Sequence, residues 1–97
     1  MKKLSDILNE VRLVGSRGDM SVDVLHVASD SRQVKPGGMF VAVRGTRSDG
    51  HAFIPQVLEA GAAIIVAETE PDPATDAVWI TVRDSAHTLG EIGRAHV

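Results

Sequence analysis

The sequence predicts a small α/β domain with a mostly parallel sheet: a βαβ unit, preceded by an N-terminal helix and a hairpin. Three observations carry this. Two apolar runs, Met39–Val43 and Ala62–Ala67, lack alternation and are bounded by turn signals, so both read as buried strands. Between them Phe53, Ile54, Val57 and Leu58 recur at helical spacing, and Gly61 supplies a left-handed stop. Strand, helix and strand with short connections make a βαβ unit, which sets its two strands parallel. A chain of 97 residues fits one domain. A domain of that size buries roughly 60–65% of its unfolded surface.

The remaining elements follow in order. Leu4, Ile7, Leu8 and Val11 predict a short amphipathic helix over Leu4–Glu10, with Ser5 or Asp6 near its start. Val11–Val14 predicts a short strand, Gly15–Asp19 a turn cluster, and Val22–Ala28 a second strand, so the two strands can form a hairpin. In the second strand Val22, Val24, His26 and Ala28 share one face, and Asp23, Leu25 and Val27 the other. Pro55 falls in the first turn of the central helix, where its missing N–H is tolerated. Asp49 stands ahead of that helix as a cap or first-turn anion. Glu68–Asp76 is an acidic loop containing Pro71 and Pro73, and Val78–Val82 is a further strand. Asp84 and Ser85 start a last helix, continued by Ala86, Leu89 and Ile92.

Composition narrows the function classes. Hydrophobic residues make up 43% of the chain, and the only aromatics are Phe40, Phe53 and Trp79. The core is therefore aliphatic, and no aromatic platform for single-stranded bases is expected. Thirteen acidic against ten basic residues give a net charge of −3, with a pI of about 5.7. That disfavours a nucleic-acid partner. The absence of cysteine excludes disulfides and thiolate zinc sites and is compatible with a reducing cytoplasm. No run approaches the ~20 apolar residues of a membrane span, and nothing after Met1-Lys2-Lys3 resembles a signal peptide. A cytoplasmic protein without a membrane partner is expected. His26, His87 and His96 show no metal spacing, and no metal site is expected.

The chain is organised around Ser29–Gly50, SDSRQVKPGGMFVAVRGTRSDG. Ser29-Asp30-Ser31-Arg32 packs two hydroxyls, a carboxylate and a guanidinium into four residues. Lys35-Pro36-Gly37-Gly38 is a turn. The apolar run follows, then the polar loop Gly45–Gly50. Two polar loops flanking one buried strand can lie side by side at one sheet end. There they would offer hydroxyls, flexible backbone and cations, the groups a phosphorylated ligand needs.

The strings DSR, VKPG, FVAV, DGHAFI and AGAAIIV resemble the N-terminal domain of the Mur ligases, over most of residues 1–91. These are ATP-dependent enzymes that add amino acids to the UDP-N-acetylmuramoyl precursor of peptidoglycan. Within the family the chain is most similar to the third-step branch, which adds meso-diaminopimelate or lysine to UDP-MurNAc-L-Ala-D-Glu. The resemblance implies a compact α/β domain ahead of an ATPase domain, which uses ATP and Mg²⁺ to activate the D-Glu carboxylate as an acyl phosphate. This domain's implied part is to bind and orient the UDP end of the substrate. No cofactor is expected on these residues, since the chain contains no G-x-x-x-x-G-K-[ST] run. The diamino acid and ATP would meet other domains, and a monomer is expected. The fourth-step, D-Ala-D-Ala-adding branch and a free-standing nucleotide-sugar binding module are the alternatives.

The resemblance implies substrate contacts at Ser29, Ser31, Thr46, Arg47 and Ser48. Serine hydroxyls suit a uracil carbonyl, a ribose hydroxyl or a phosphate oxygen, and Arg47 suits the diphosphate. The alternative is that these residues only close turns or face solvent. Asp30, Arg32, Gly45, Asp49, Gly50 and His51 are expected to support the loops, Asp30 and Arg32 as a carboxylate and guanidinium that tie the two loops together. No catalytic residue is expected. The last helix is short for the domain, and one coding sequence for Ile92–Val97, atcggaagagcacacgtc, resembles a sequencing adapter. Residues 1–91 are therefore expected to be the domain and residues 92–97 a non-native tail, with the central and C-terminal domains missing.

Overall fold

The computed structural model describes residues 2–45 and 48–96, the side chains of Glu10, Arg94, Ala95 and His96 aside. Its centre is a five-stranded sheet. The strands are β1 (Gly15–Arg17), β2 (Val27–Ala28), β3 (Met39–Val41), β4 (Ile64–Ala67) and β5 (Val78–Thr81). They lie in the order β1-β5-β4-β3-β2. The strands β2 through β5 are mutually parallel, and β1 alone runs antiparallel, along β5.

Residues alternate between two cores, which explains the apolar runs. Met39 and Val41 of β3, Ile64 and Val66 of β4, and Val78 and Ile80 of β5 face one side. There they meet α1 (Leu4–Ile7), through Leu4 and Ile7, and α3 (Ser85–His96), through Ile92. Phe40, Ile65, Ala67 and Trp79 face the other side, under Ile54 and Val57 of α2 (Ile54–Glu59). A strand buried on both faces has no polar side to show, so its sequence does not alternate.

The βαβ unit is as expected: β3 and β4 are parallel with α2 between them. Pro55 sits in the first turn of α2, and Gly61 ends it at φ +97°. A Cβ at Gly61 would also press on Pro36 at 3.1 Å. The helix expected over Leu4–Glu10 is one α turn continued by a 3-10 turn, Leu8–Glu10. Asp84 Oδ1 accepts from the His87 N–H and caps α3.

The expected N-terminal hairpin does not form. The segment read as a turn, Gly15–Arg17, is β1, and it pairs with β5 rather than with residues 22–28. The segment read as a strand, Val11–Val14, only leads into it, and Val14 is 57% exposed. Of the strand expected over Val22–Ala28, only Val27 and Ala28 join the sheet. Val22 and Val24 are bonded elsewhere: Leu4 N–H donates to the Val22 carbonyl at 2.8 Å, and Val24 N–H to the Lys2 carbonyl at 2.9 Å. The expected faces do not hold either: Val22, Val24 and Val27 all pack on the core of Met39 and Ile64, while Ala28 is in register with Phe40 of the other face, because the segment is not a continuous strand. Two apolar assignments also shift. Phe53 is 40% exposed, because Gly50–Phe53 is a 3-10 turn and the α-helical periodicity begins only at Ile54. On α3 the buried positions are Ser85, Thr88 and Ile92, while Ala86 is exposed.

The link from β1 to the loop after β4 is a guanidinium. Arg17 Nη1 donates to the Asp72 carbonyl at 3.0 Å, and Nη2 to the carbonyls of Thr75 at 2.7 Å and Ala77 at 2.9 Å. A lysine ammonium is a single point and cannot reproduce this fork. Arg17→Lys is therefore expected to lower stability by about 1–3 kcal/mol in a denaturant melt. A midpoint unchanged from wild type would show that this fork does not hold β1 in place.

Candidate functional site

In a parallel sheet every strand ends at the same edge, so the segments after β2, β3, β4 and β5 gather there. They carry the polar motifs. After β2 come Ser29 and Asp30, whose carboxylate accepts the Arg32 N–H at 2.9 Å and caps the 3-10 turn Ser31–Gln33. The same carboxylate takes the Arg32 guanidinium in a fork, Nε to Oδ1 at 3.1 Å and Nη2 to Oδ2 at 2.8 Å. The expected ion pair forms, but within one turn of the first loop, so it does not tie the two loops together. Arg32's hydrogen bonds hold the Asp30 carboxyl down at about 2.

After β3 the chain makes a tight loop. Gly50 N–H donates to the Val43 carbonyl at 2.8 Å, and Gly45 N–H to the Ser48 carbonyl at 3.0 Å. A Cβ on Gly50 would lie 2.9 Å from the Val43 nitrogen, so only glycine closes this stem. Asp49 Oδ1 accepts the His51 N–H at 3.0 Å and faces His51 Nδ1 at 2.6 Å. His51 Nε2 lies 2.8 Å from the Glu68 N–H, which can only donate. The Nε2 lone pair must therefore accept, which places the proton of the neutral ring on Nδ1, towards Asp49. The hydrogen bonds from the His51 backbone and ring lower the Asp49 pKa.

Between the loops lies a cleft of about 720 Å³. Of the residues expected to bind or support the substrate, Ser29, Asp30, Ser31, Arg32, Gly45, Ser48 and Gly50 line it. Asp49 and His51 stand behind the loop as braces. Thr46 and Arg47, the other two expected contacts, lie outside the described residues. Four further lining residues were not expected: Val43, Phe53, Gln56 and Leu89. Phe53, Gln56 and Leu89 belong to segments read only as helix faces, and their side chains meet the cleft because α2 and α3 flank it. The exposure of Phe53 is their clearest sign.

A second hollow of about 500 Å³ lies elsewhere, between Arg12–Val14, Arg83, Asp84 and α3 residues such as His87 and Glu91. It contains none of the motif residues. Among the described residues no three His, Cys, Asp or Glu side chains are grouped to hold a metal, and no helix is long and apolar enough to cross a membrane.

The cleft can bind and orient. Its hydroxyls and loop amides suit phosphate and ribose oxygens, and Phe53 offers a ring face. Comparison with known proteins gives the family. Residues 23–97 match the family model described as Mur ligase family, catalytic domain. The chain is 42% identical over 92 residues to the UDP-N-acetylmuramoyl-L-alanyl-D-glutamate--2,6-diaminopimelate ligase of Cytophaga hutchinsonii, covering 93% of this chain and 19% of that one. It is 38% identical over 90 residues to the ligase of the same name from Bacteroides thetaiotaomicron, again spanning 19% of it. The chain thus spans about a fifth of the length of these relatives. Among solved structures, the fold matches a UDP-N-acetylmuramoylalanyl-D-glutamyl-2,6-diaminopimelate--D-alanyl-D-alanyl ligase from Acinetobacter baumannii. The TM-score is 0.82 at 22% identity, over 96% of this chain and 21% of that one. A MurF ligase from Thermotoga maritima, in complex with ADP, matches at TM-score 0.61 and 38% identity over 71% of this chain and 16% of that one.

The carboxylates of the cleft and of the loops behind it give a pH expectation. Asp30, Asp49 and Glu68 all have lowered folded-state pKa values, Glu68 chiefly through the Ser85 N–H. A depressed carboxylate contributes stability above its unfolded pKa, near 4, and loses it as pH falls through the folded value. The loops are therefore expected to hold at pH 5 and to loosen progressively from about pH 4 towards 2, as followed by amide chemical shifts at Arg32 and His51. Loosening already complete at pH 5 would contradict the assigned hydrogen bonds.

Proposed function

This chain belongs to the Mur ligase family, and we propose that it is the N-terminal, UDP-MurNAc-binding domain of an ATP-dependent amide ligase of peptidoglycan synthesis. The full enzyme adds a diamino acid, meso-diaminopimelate or lysine, to UDP-MurNAc-L-Ala-D-Glu in the cytoplasm. The observation that carries this reading is the cleft: it gathers Ser29–Arg32 with Gly45, Ser48 and Gly50 at one sheet edge. Ser31, Ser29 and Ser48 would bond the UDP oxygens, with Thr46 and Arg47 reaching the diphosphate. Asp30 is committed to Arg32, so that pair shapes the loop rather than acting on substrate.

ATP and Mg²⁺ belong to other domains in this reading. The chain carries no phosphate-binding G-x-x-x-x-G-K-[ST] run, and its described residues do not fit a metal. Its contribution to rate is orientation: holding the nucleotide end places the distant carboxylate. The proposed domain end at Glu91, with 92–97 a non-native tail, has against it Ile92, which is buried in the core, and a family match that runs to residue 97. Reading independently cloned DNA past the Glu91 codon tests that boundary.

The relatives' names favour the third step, since both curated relatives above carry the diaminopimelate ligase name. The solved structures carry the D-Ala-D-Ala ligase name or MurF, which keeps the fourth step as the second reading. A calorimetric titration of the 97-residue chain separates them. UDP-MurNAc-L-Ala-D-Glu is expected to bind in preference to the tripeptide precursor. Ser31→Ala is expected to weaken binding about tenfold, the equivalent of one hydrogen bond to a charged oxygen. Preference for the tripeptide would move the chain to the fourth step, and binding of neither nucleotide would sink the reading.

A further inference from the structure

We propose that Glu68 is a positioning residue that fixes the spacing between two walls of the cleft, the loop after β3 and helix α3. The inference rests on the reading of that cleft as the nucleotide-sugar site. Glu68 follows β4 directly and does not line the cleft, yet its polar groups reach both walls. Its backbone N–H donates to His51 Nε2 at 2.8 Å. Its carboxylate, 18% exposed, pairs through Oε1 with Arg44 Nε at 3.2 Å. Oε2 accepts the Ser85 N–H at 2.9 Å and the Ser85 hydroxyl at 2.8 Å. The Ser85 oxygen in turn accepts the Arg44 N–H at 2.9 Å.

Glu68 therefore ties both ends of the loop, Arg44 through its carboxylate and His51 through its backbone N–H, while the same carboxylate holds the first turn of α3. The hydroxyl between them is fully buried and used as donor and acceptor at once. Leu89, which lines the cleft, stands one helical turn after Ser85, so a shift at Ser85 carries Leu89 with it. The loop's own closures, Gly50 to Val43 and Gly45 to Ser48, do not involve Glu68. Without the carboxylate the loop stays formed and keeps the Glu68 N–H bond to His51, but its tie to α3 loosens. The cost then falls on ligand affinity, because the cleft must be ordered at the moment of binding.

Glu68→Gln retains shape and one acceptor oxygen, but cannot serve Ser85 and Arg44 together. The test titrates wild type, Glu68→Gln, Ser85→Ala and the double variant with UDP and with UDP-MurNAc-L-Ala-D-Glu, and follows exchange of the Arg44 amide. Glu68→Gln is expected to keep a cooperative melt, weaken both ligands roughly threefold to thirtyfold, and speed that exchange. The double variant is expected to bind no worse than Glu68→Gln, since the two residues act as one unit. If Glu68→Gln does not fold, Arg44→Gln replaces it, at a side chain 59% exposed, and affinity is expected to fall there as well. Wild-type affinity in the folded variant, or effects that simply add, would overturn the positioning role alone. Failure of wild type to bind either probe would instead overturn the reading of the cleft, and this role with it.

Discussion

Burial of the parallel strands on both faces is the constraint on which the structure depends. Phe40, Ile65 and Trp79 point to one core while Met39, Ile64 and Ile80 point to the other. A sheet of this kind leaves no solvated face, so polar chemistry is pushed to the ends of the strands. Because β2 to β5 are parallel, their carboxyl ends share one edge. Ser29, the Gly45–Gly50 loop, Glu68 and Ser85 are far apart in the chain and meet there for that reason alone.

Short, local hydrogen bonds then give each loop its shape, and longer ones fix the loops against each other. Asp30 and Asp49 act within two residues, each accepting from the backbone N–H two positions on. Such turns form wherever the sequence permits and cost little elsewhere. Glu68, His51, Arg44 and Ser85 act across 17 to 41 residues of sequence. Their bonds exist only once the sheet has formed, and they turn separately shaped loops into one cleft. Membership of the Mur ligase family fits this division of labour. On the proposed reading the domain only holds a nucleotide, and such a domain needs a pre-organised cleft more than it needs reactive groups.

The sequence by itself determined the βαβ unit, the stop at Gly61 and the loop residues of the cleft. Those signals are local: unalternating apolar runs, helical spacing, and Asp or Gly where a turn demands them. It also determined the family, through DSR, FVAV and DGHAFI. Only the tertiary structure decided the fate of the N-terminal third. Gly15–Arg17 carries turn residues, yet it is a strand because β5 offers it an edge and Arg17 finds three carbonyls in a distant loop. Val22 and Val24 alternate like a strand, yet they bond to the chain's first residues. Likewise Phe53 has helical spacing that says core, yet it is exposed at the cleft, and Leu89 packs on the core while also lining the cleft. Local preference fixes which backbone shapes are cheap, but pairing partners and cleft walls come from residues remote in sequence, and no local pattern encodes them.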